Sequence, residues 1–208
     1  MYRSSRDKTQ RVNKIWGESV FPCVIWCFLL KSRLNYEGTK LTMNDTVTDE
    51  KYMKMALSEA ELAARNGEVP VGAILVKGDR VLAGDHNQCI KQSDPTAHAE
   101  VLVLRKAGEV LGNYRLNDTV MYVTTEPCPM CISAMIHARI SRLVFGTLEP
   151  KFGAVGSRLN LLEQNGLNHH VEVTRGILEK ECTEILKSFF QKRRAKRETR
   201  ILSHEFGE

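Results

Sequence analysis

Residues 119–138 read TVMYVTTEPCPMCISAMIHA, and this run joins a strand to a helix with chemistry at the joint. Thr119 to Thr125 is short, apolar and β-branched, as a buried strand is. Cys128 to Ala138 reads as the helix that follows. Cys128 and Cys131 are three residues apart, so on a helix they stand about 60° from eclipsed and both sulfurs can reach one ion. At a helix N-terminus, unpaired backbone N–H groups and the macrodipole lower thiol pKa values. The thiolates are then ready for zinc.

Outward from this joint the chain alternates helical and strand-like segments. Asp49 to Asn66 carries Met53, Ala56, Leu57, Ala60 and Ala64 at helical spacing, with Gly67 as a natural stop. Val71 to Val76, a Gly78-Asp79 turn and Val81 to Asp85 read as a hairpin. Ala97 to Val110 reads as a helix, Arg142 to Gly146 and Val171 to Thr174 as strands, and Leu178 to about Arg194 as a closing helix. The order predicts an α/β domain of three layers, α/β/α, around a five-stranded mixed sheet.

The second half of the chemistry sits upstream. Asp94-Pro95-Thr96 is a helix-opening signal, and His98-Ala99-Glu100 follows at once. Within a helix, residues two apart point about 200° from each other, so His98 and Glu100 share a site only in or beside the first turn. His98, Cys128 and Cys131 make three protein ligands. Zinc takes four, which leaves a position for water, as in a catalytic centre. Two thiolates formally cancel the charge of the dication, so its water is less acidic and a nearby proton acceptor becomes valuable. Glu100 is that acceptor.

A lone Cys-x-x-Cys is as often a structural half-site or a redox pair. A structural zinc would want a fourth His or Cys; the nearest, His137, is two turns along its helix and too far to close the site. His98 alone would be an ordinary histidine. Together, His-x-Glu at one helix start and Pro-Cys-x-x-Cys at another supply complementary ligands and a base.

At these residues the chain resembles the cytidine/deoxycytidylate deaminase superfamily, whose signature is this pair of motifs. Within it, the similarity is to the bacterial tRNA-specific adenosine deaminases, from about Glu50 to Arg194. It runs through Asn66 to Ala73, Asp94 to Glu100, Asn113 to Leu116, Met135 to Ile140, Gly153 to Ser157 and Phe189-Phe190.

The resemblance implies a cytidine-deaminase-like fold and one zinc ion per subunit on His98, Cys128 and Cys131. It implies that Glu100 shuttles the proton as a zinc-activated water deaminates adenosine to inosine in tRNA, at the anticodon wobble position. Asn87 matches a position that contacts the nucleoside, unless it merely satisfies backbone at the hairpin end, and the Ala99 N–H would face the base. Phe190, Arg193 and Arg194 look like the family's RNA-contacting tail. Glu149-Pro150-Lys151 stands where the family often has Asp ahead of its Lys, so RNA roles for Glu149 and Lys151 carry over with that departure. A homodimer is implied, and no redox cofactor.

Two other functions fit parts of the pattern. The same zinc centre could deaminate a free base or nucleoside of guanine or cytosine type, although the basic closing helix speaks for RNA. A non-catalytic zinc-binding partner subunit would not need Glu100.

Composition bounds the rest. The chain has 208 residues, 42% of them hydrophobic, enough for one domain with a modest appendage. Six irregularly placed cysteines, two of which must be thiolates, point to a reducing cytoplasmic compartment. The net charge of +5 lies wholly in residues 1–42, while Lys187 to Arg200 is locally +6 and residues 43–186 are −4. Phosphate contacts must therefore come from patches. Within 1–42 a basic stretch precedes the apolar run Val20 to Leu30. That run contains Pro22, lacks a cleavage site and is too short for a membrane span. The expectation is a dispensable N-terminal extension over 1–42 with Met43 as the working start, a deaminase domain over 43–194 and a C-terminal tail over 195–208.

Overall fold

The computed structural model describes residues 43–205; the extension over 1–42 and the last three residues lie outside the described residues. Helix α1 (Met43–Arg65) is followed by β1 (Gly72–Lys77), β2 (Arg80–His86), a short α2 (Cys89–Gln92), α3 (Ala99–Leu111) and β3 (Thr119–Thr125). Helix α4 (Pro129–Ala138), β4 (Arg142–Thr147), β5 (Glu172–Arg175) and α5 (Glu179–Glu205) complete the chain. The sheet order is β2-β1-β3-β4-β5. Strand β1 is antiparallel to β2 and β3, and β4 is parallel to β3 and β5, so the sheet is mixed as expected.

Both faces of the sheet are covered, which is why the inner strands are apolar without interruption. On one face Ala73, Leu75, Met121, Val123, Leu143 and Phe145 pack against α3 and α4. The alternate residues Ile74, Val76, Tyr122 and Val144 pack on the other face against α1 and the start of α5. Helix α1 lies close enough to β1 that a Cβ on Gly72 would stand 2.1 Å from the carbonyl oxygen of Ala56. Only glycine fits there. Among the described residues no helix is long and apolar enough to cross a membrane.

Two helix ends differ from the sequence reading by more than two residues, and one element is new. Helix α1 begins at Met43, ahead of Asp49, because Asp49 is no helix end: it is 1% exposed and ties the helix to the sheet. Its carboxylate accepts from Arg142 Nη2 at 2.6 Å, Arg142 Nη1 at 3.1 Å and the Tyr122 hydroxyl at 2.9 Å. Helix α5 runs on past Arg194 to Glu205, since nothing between Ala195 and Glu205 breaks it and the first glycine is Gly207. The short helix α2 was not foreseen. Its Ile90 and Lys91 N–H groups are capped by the buried carboxylate of Glu68, both at 2.8 Å, a partner too far along the chain to be seen in sequence.

Asp49→Ala strands the half-buried Arg142 guanidinium and the Tyr122 hydroxyl. The expected loss is about 3 kcal/mol, a fall in Tm of roughly 6–12 °C for a domain of this size. Thermal unfolding of the variant checks it, and a shift under about 2 °C would show that the network contributes little.

Candidate active site

Strands β2, β3 and β4 point the same way, so their C-terminal ends share one edge of the sheet. Asn87 follows β2, Glu126 to Cys128 follow β3 and Leu148 to Lys151 follow β4. These segments and the inner side of α5 line a cavity of about 1170 Å³. The C-terminal edge of an α/β sheet is where such folds bind ligands.

The candidate metal ligands sit at two helix starts, but not quite where the sequence placed them. Asp94 does not open α3. Its carboxylate closes its own turn by accepting from the Thr96 N–H and hydroxyl, both at 2.7 Å. The helix starts at Ala99, so His98 is its N-cap residue (φ −74°, ψ 148°) and Glu100 lies in its first turn. Cys128 is the N-cap of α4, likewise extended (φ −74°, ψ 170°). N-cap side chains usually bond to their own helix. Neither of these does; both turn toward each other across the gap between the helices.

His98 Nδ1 is 3.7 Å from Cys128 Sγ and 3.5 Å from Cys131 Sγ, and the two sulfurs are 3.6 Å apart. A tetrahedral ion with zinc-like bond lengths would set the S–S edge at about 3.8 Å and the S–N edges at about 3.6 Å. The donors present therefore fit such an ion without rearrangement. Among the described residues no fourth ligand joins the trio. His137, rejected for this role on sequence, is exposed and lines a separate groove with Tyr114.

Electrostatics already favours a thiolate. The contact with Cys131, seconded by His98, pulls the Cys128 thiol down to about 4. Cys131 is pushed up by the same contact and by burial; a dication would displace a thiol proton here. The hydrogen bond to Cys128 raises His98. Glu100 is 3% exposed, and burial pushes its carboxyl above the usual range, the direction expected of a group that must both take and give a proton near neutrality.

Of the proposed substrate contacts, Asn87, Glu149, Lys151, Phe190, Arg193 and Arg194 all line the cavity. Two are differently engaged. The Ala99 N–H, expected to face the base, donates instead to Asn87 Oδ1 at 2.9 Å. Asn87 thus supplies the capping bond His98 does not make, and its Nδ2 is left for a ligand. Glu149 Oε1 accepts the Lys151 N–H at 2.9 Å, so this carboxylate shapes its own turn.

His86, a residue in neither motif, is half-buried. Its Nδ1 is 2.9 Å from Glu59 and its Nε2 is buried without a partner. Sequence reading also passed over Glu126, although it directly precedes Pro127-Cys128 at a strand end, and Phe152, which lines the cavity beside Lys151.

A doubly covered mixed sheet carrying His-x-Glu at one helix start and Pro-Cys-x-x-Cys at another defines a deaminase. Residues 47–194 match the MafB19-like deaminase family. A tRNA-specific adenosine deaminase of Haemophilus influenzae is 50% identical over 147 residues, covering 70% of this chain and 85% of its own. That of Bacillus subtilis is 44% identical over 149 residues, covering 72% and 92%. The chain belongs to the deaminase family and, within it, to the tRNA-specific adenosine deaminases. A structure from a study of A-to-I editing by tRNA:A34 deaminases at the wobble position of transfer RNA is 45% identical. It aligns with a TM-score of 0.64 over 65% of this chain and 99% of that one. A guanine deaminase of Nitrosomonas europaea, 22% identical with a TM-score of 0.59 over 67% and 83%, shares the fold.

Proposed function

We propose that this protein hydrolyses adenosine to inosine in tRNA, at the wobble position of the anticodon, using one zinc ion held by His98, Cys128 and Cys131. The observation that carries it is the three-donor triangle of tetrahedral dimensions with one buried carboxylate, Glu100, beside it. Bound there, zinc would supply the Lewis acid that makes water nucleophilic near neutral pH. Glu100 takes the proton of the attacking water, delivers it to the purine ring nitrogen, and passes a proton to the departing ammonia. The fixed Asn87, bonded to Ala99 between His98 and Glu100, offers its Nδ2 to the base. Because the reacting carbon must enter a pocket, the substrate is an adenosine splayed from a single-stranded loop.

Testing it requires two stem-loop RNAs of one length, one with adenosine at the wobble position and one with it paired in the stem. Only the first is expected to yield inosine. Equal conversion of both, or of neither, contradicts the assignment.

The rim supports RNA. Arg193 and Arg194 line the cavity beside the 41%-exposed Phe190. Replacing both arginines with Ala is expected to weaken tRNA binding and reduce the log–log salt slope by about 1.4–1.8, near 0.7 to 0.9 per lost contact. The control is deletion of residues 1–42, which hold the whole net +5 yet precede the family match. Its tRNA affinity and turnover are expected to equal those of the full chain. Loss of affinity on deletion, with normal binding by the double variant, would make the extension the RNA-binding element. The working form is a cytoplasmic homodimer. The outer face of α3 and α4 supports it, with a groove lined by Leu104, Tyr114 and His137 and with Val110 and Tyr114 exposed. Sedimentation equilibrium at the mass of two chains is the expected reading, and a single-chain mass contradicts it.

A further inference from the structure

The loop after β4 is pinned from beneath by one carboxylate. Glu126 is 2% exposed and accepts from the N–H groups of Val155 at 2.8 Å, Ser157 at 3.0 Å and Glu149 at 3.1 Å, and from the Ser157 hydroxyl. The Ala154 N–H bonds to the Pro127 carbonyl at 2.9 Å, and the Gly153 N–H closes the turn onto the Glu149 carbonyl at 2.8 Å. A Cβ on Gly153 would lie 2.4 Å from the Glu126 carboxyl group, so loop and carboxylate are in direct contact. So many bonds to one buried group hold a loop in a single shape before any ligand arrives.

What this fixed loop holds up is an aromatic ring in water. Phe152 is 70% exposed, and it lines the cavity that also holds His98 and Glu100. Lys151, Arg193 and Arg194 line the same cavity. The bonds on either side of Phe152 fix the backbone that carries the ring. Leu148 and Phe190, 48% and 41% exposed, line the cavity too, and exposed apolar surface grouped among cations marks a contact. A ring with cations around it suits an unpaired base with its phosphates, since every base has a face to stack and every nucleotide a charge to neutralise.

We propose that Phe152 is a stacking platform for an unpaired nucleobase neighbouring the target adenosine, with Glu126 as the positioning residue that sets its height. This rests on the reading of tRNA as substrate and adds a specificity element to it. Stacking is indifferent to base identity, so Phe152 selects loops whose flanking base is splayed out rather than a particular sequence. It acts on RNA affinity and KM, not on proton transfer at Glu100.

The test measures Kd for an anticodon stem-loop RNA in the Glu100→Ala background, where turnover is slowed at least ~10²-fold. Phe152→Ala is expected to weaken binding roughly 5- to 100-fold, and Phe152→Trp to return it to within about twofold of the parent. An RNA lacking the flanking base should bind the parent as weakly as intact RNA binds Phe152→Ala, with no further loss in that variant. Glu126→Gln turns one acceptor into a donor against the Glu149 N–H. It should weaken binding in the same direction with zinc retained, and add nothing to Phe152→Ala. Ser157→Ala, which removes one donor alone, should show a smaller loss if Glu126→Gln does not fold. Unchanged affinity in Phe152→Ala, or equal losses on intact and base-lacking RNA, would overturn the platform alone. Additive losses in the Glu126→Gln, Phe152→Ala double variant would overturn the positioning role. A parent protein that does not bind the stem-loop would overturn the tRNA reading itself.

Discussion

Glu100→Ala is expected to slow deamination of tRNA by at least ~10²-fold, the usual scale for a positioned acid/base group, with metal content and tRNA affinity unchanged. The reason is the division of labour at the helix start. His98, at the N-cap of α3, belongs to the ligand triangle, whereas Glu100 lies two residues on and outside it. Removing the carboxylate leaves all three donors in place. It takes away the buried group to which the proposed mechanism assigns the water's proton, and water alone replaces such a group poorly. Single-turnover rates and equilibrium binding, measured on the same preparation, separate the two effects. A variant with near-normal turnover would show that another group moves the proton.

Cys128→Ala is expected to abolish both metal binding and activity, from about one zinc per chain to almost none. Two ligands remain, but Cys128 is the thiol most readily ionised, held down to about 4 by Cys131 and His98, and it closes two of the triangle's three sides. The α4 backbone should survive, because Ala at an N-cap costs only about 1 kcal/mol and Cys128 makes no side-chain capping bond to lose. Metal analysis beside circular dichroism checks both halves. Stoichiometric zinc in a folded variant would refute the ligand set.

What could be read from sequence and what could not divides along chain separation. Strand β3 runs from Thr119 to Thr125 as read, because a buried strand shows as an unbroken apolar run. That His98, Cys128 and Cys131 come together was legible for a similar reason: each motif is local, and the structure brings their donor atoms within 3.7 Å of one another. Helix α3 was misplaced because Asp94-Pro95-Thr96 has the residues of a cap but spends its carboxylate on its own turn. The bond from the Ala99 N–H to Asn87 was not foreseen because that partner is reached only through the fold. His86 and Glu126 were missed on the same ground: Glu59 is 27 residues from His86, and the Glu126 partners are 23 to 31 residues away. The end of α5 was drawn at Arg194, where resemblance stops, although helix propensity does not.

The most direct measurement is a nucleoside digest of total tRNA incubated with the purified protein, beside parallel incubations with free guanine, cytosine and adenosine. Inosine should appear in the tRNA digest, depend on Glu100 and vanish on metal chelation, while the free compounds stay unchanged. A tRNA digest without inosine, above all with conversion of free guanine or cytosine, would contradict the assignment, and that conversion would move this chain to the free-base deaminases.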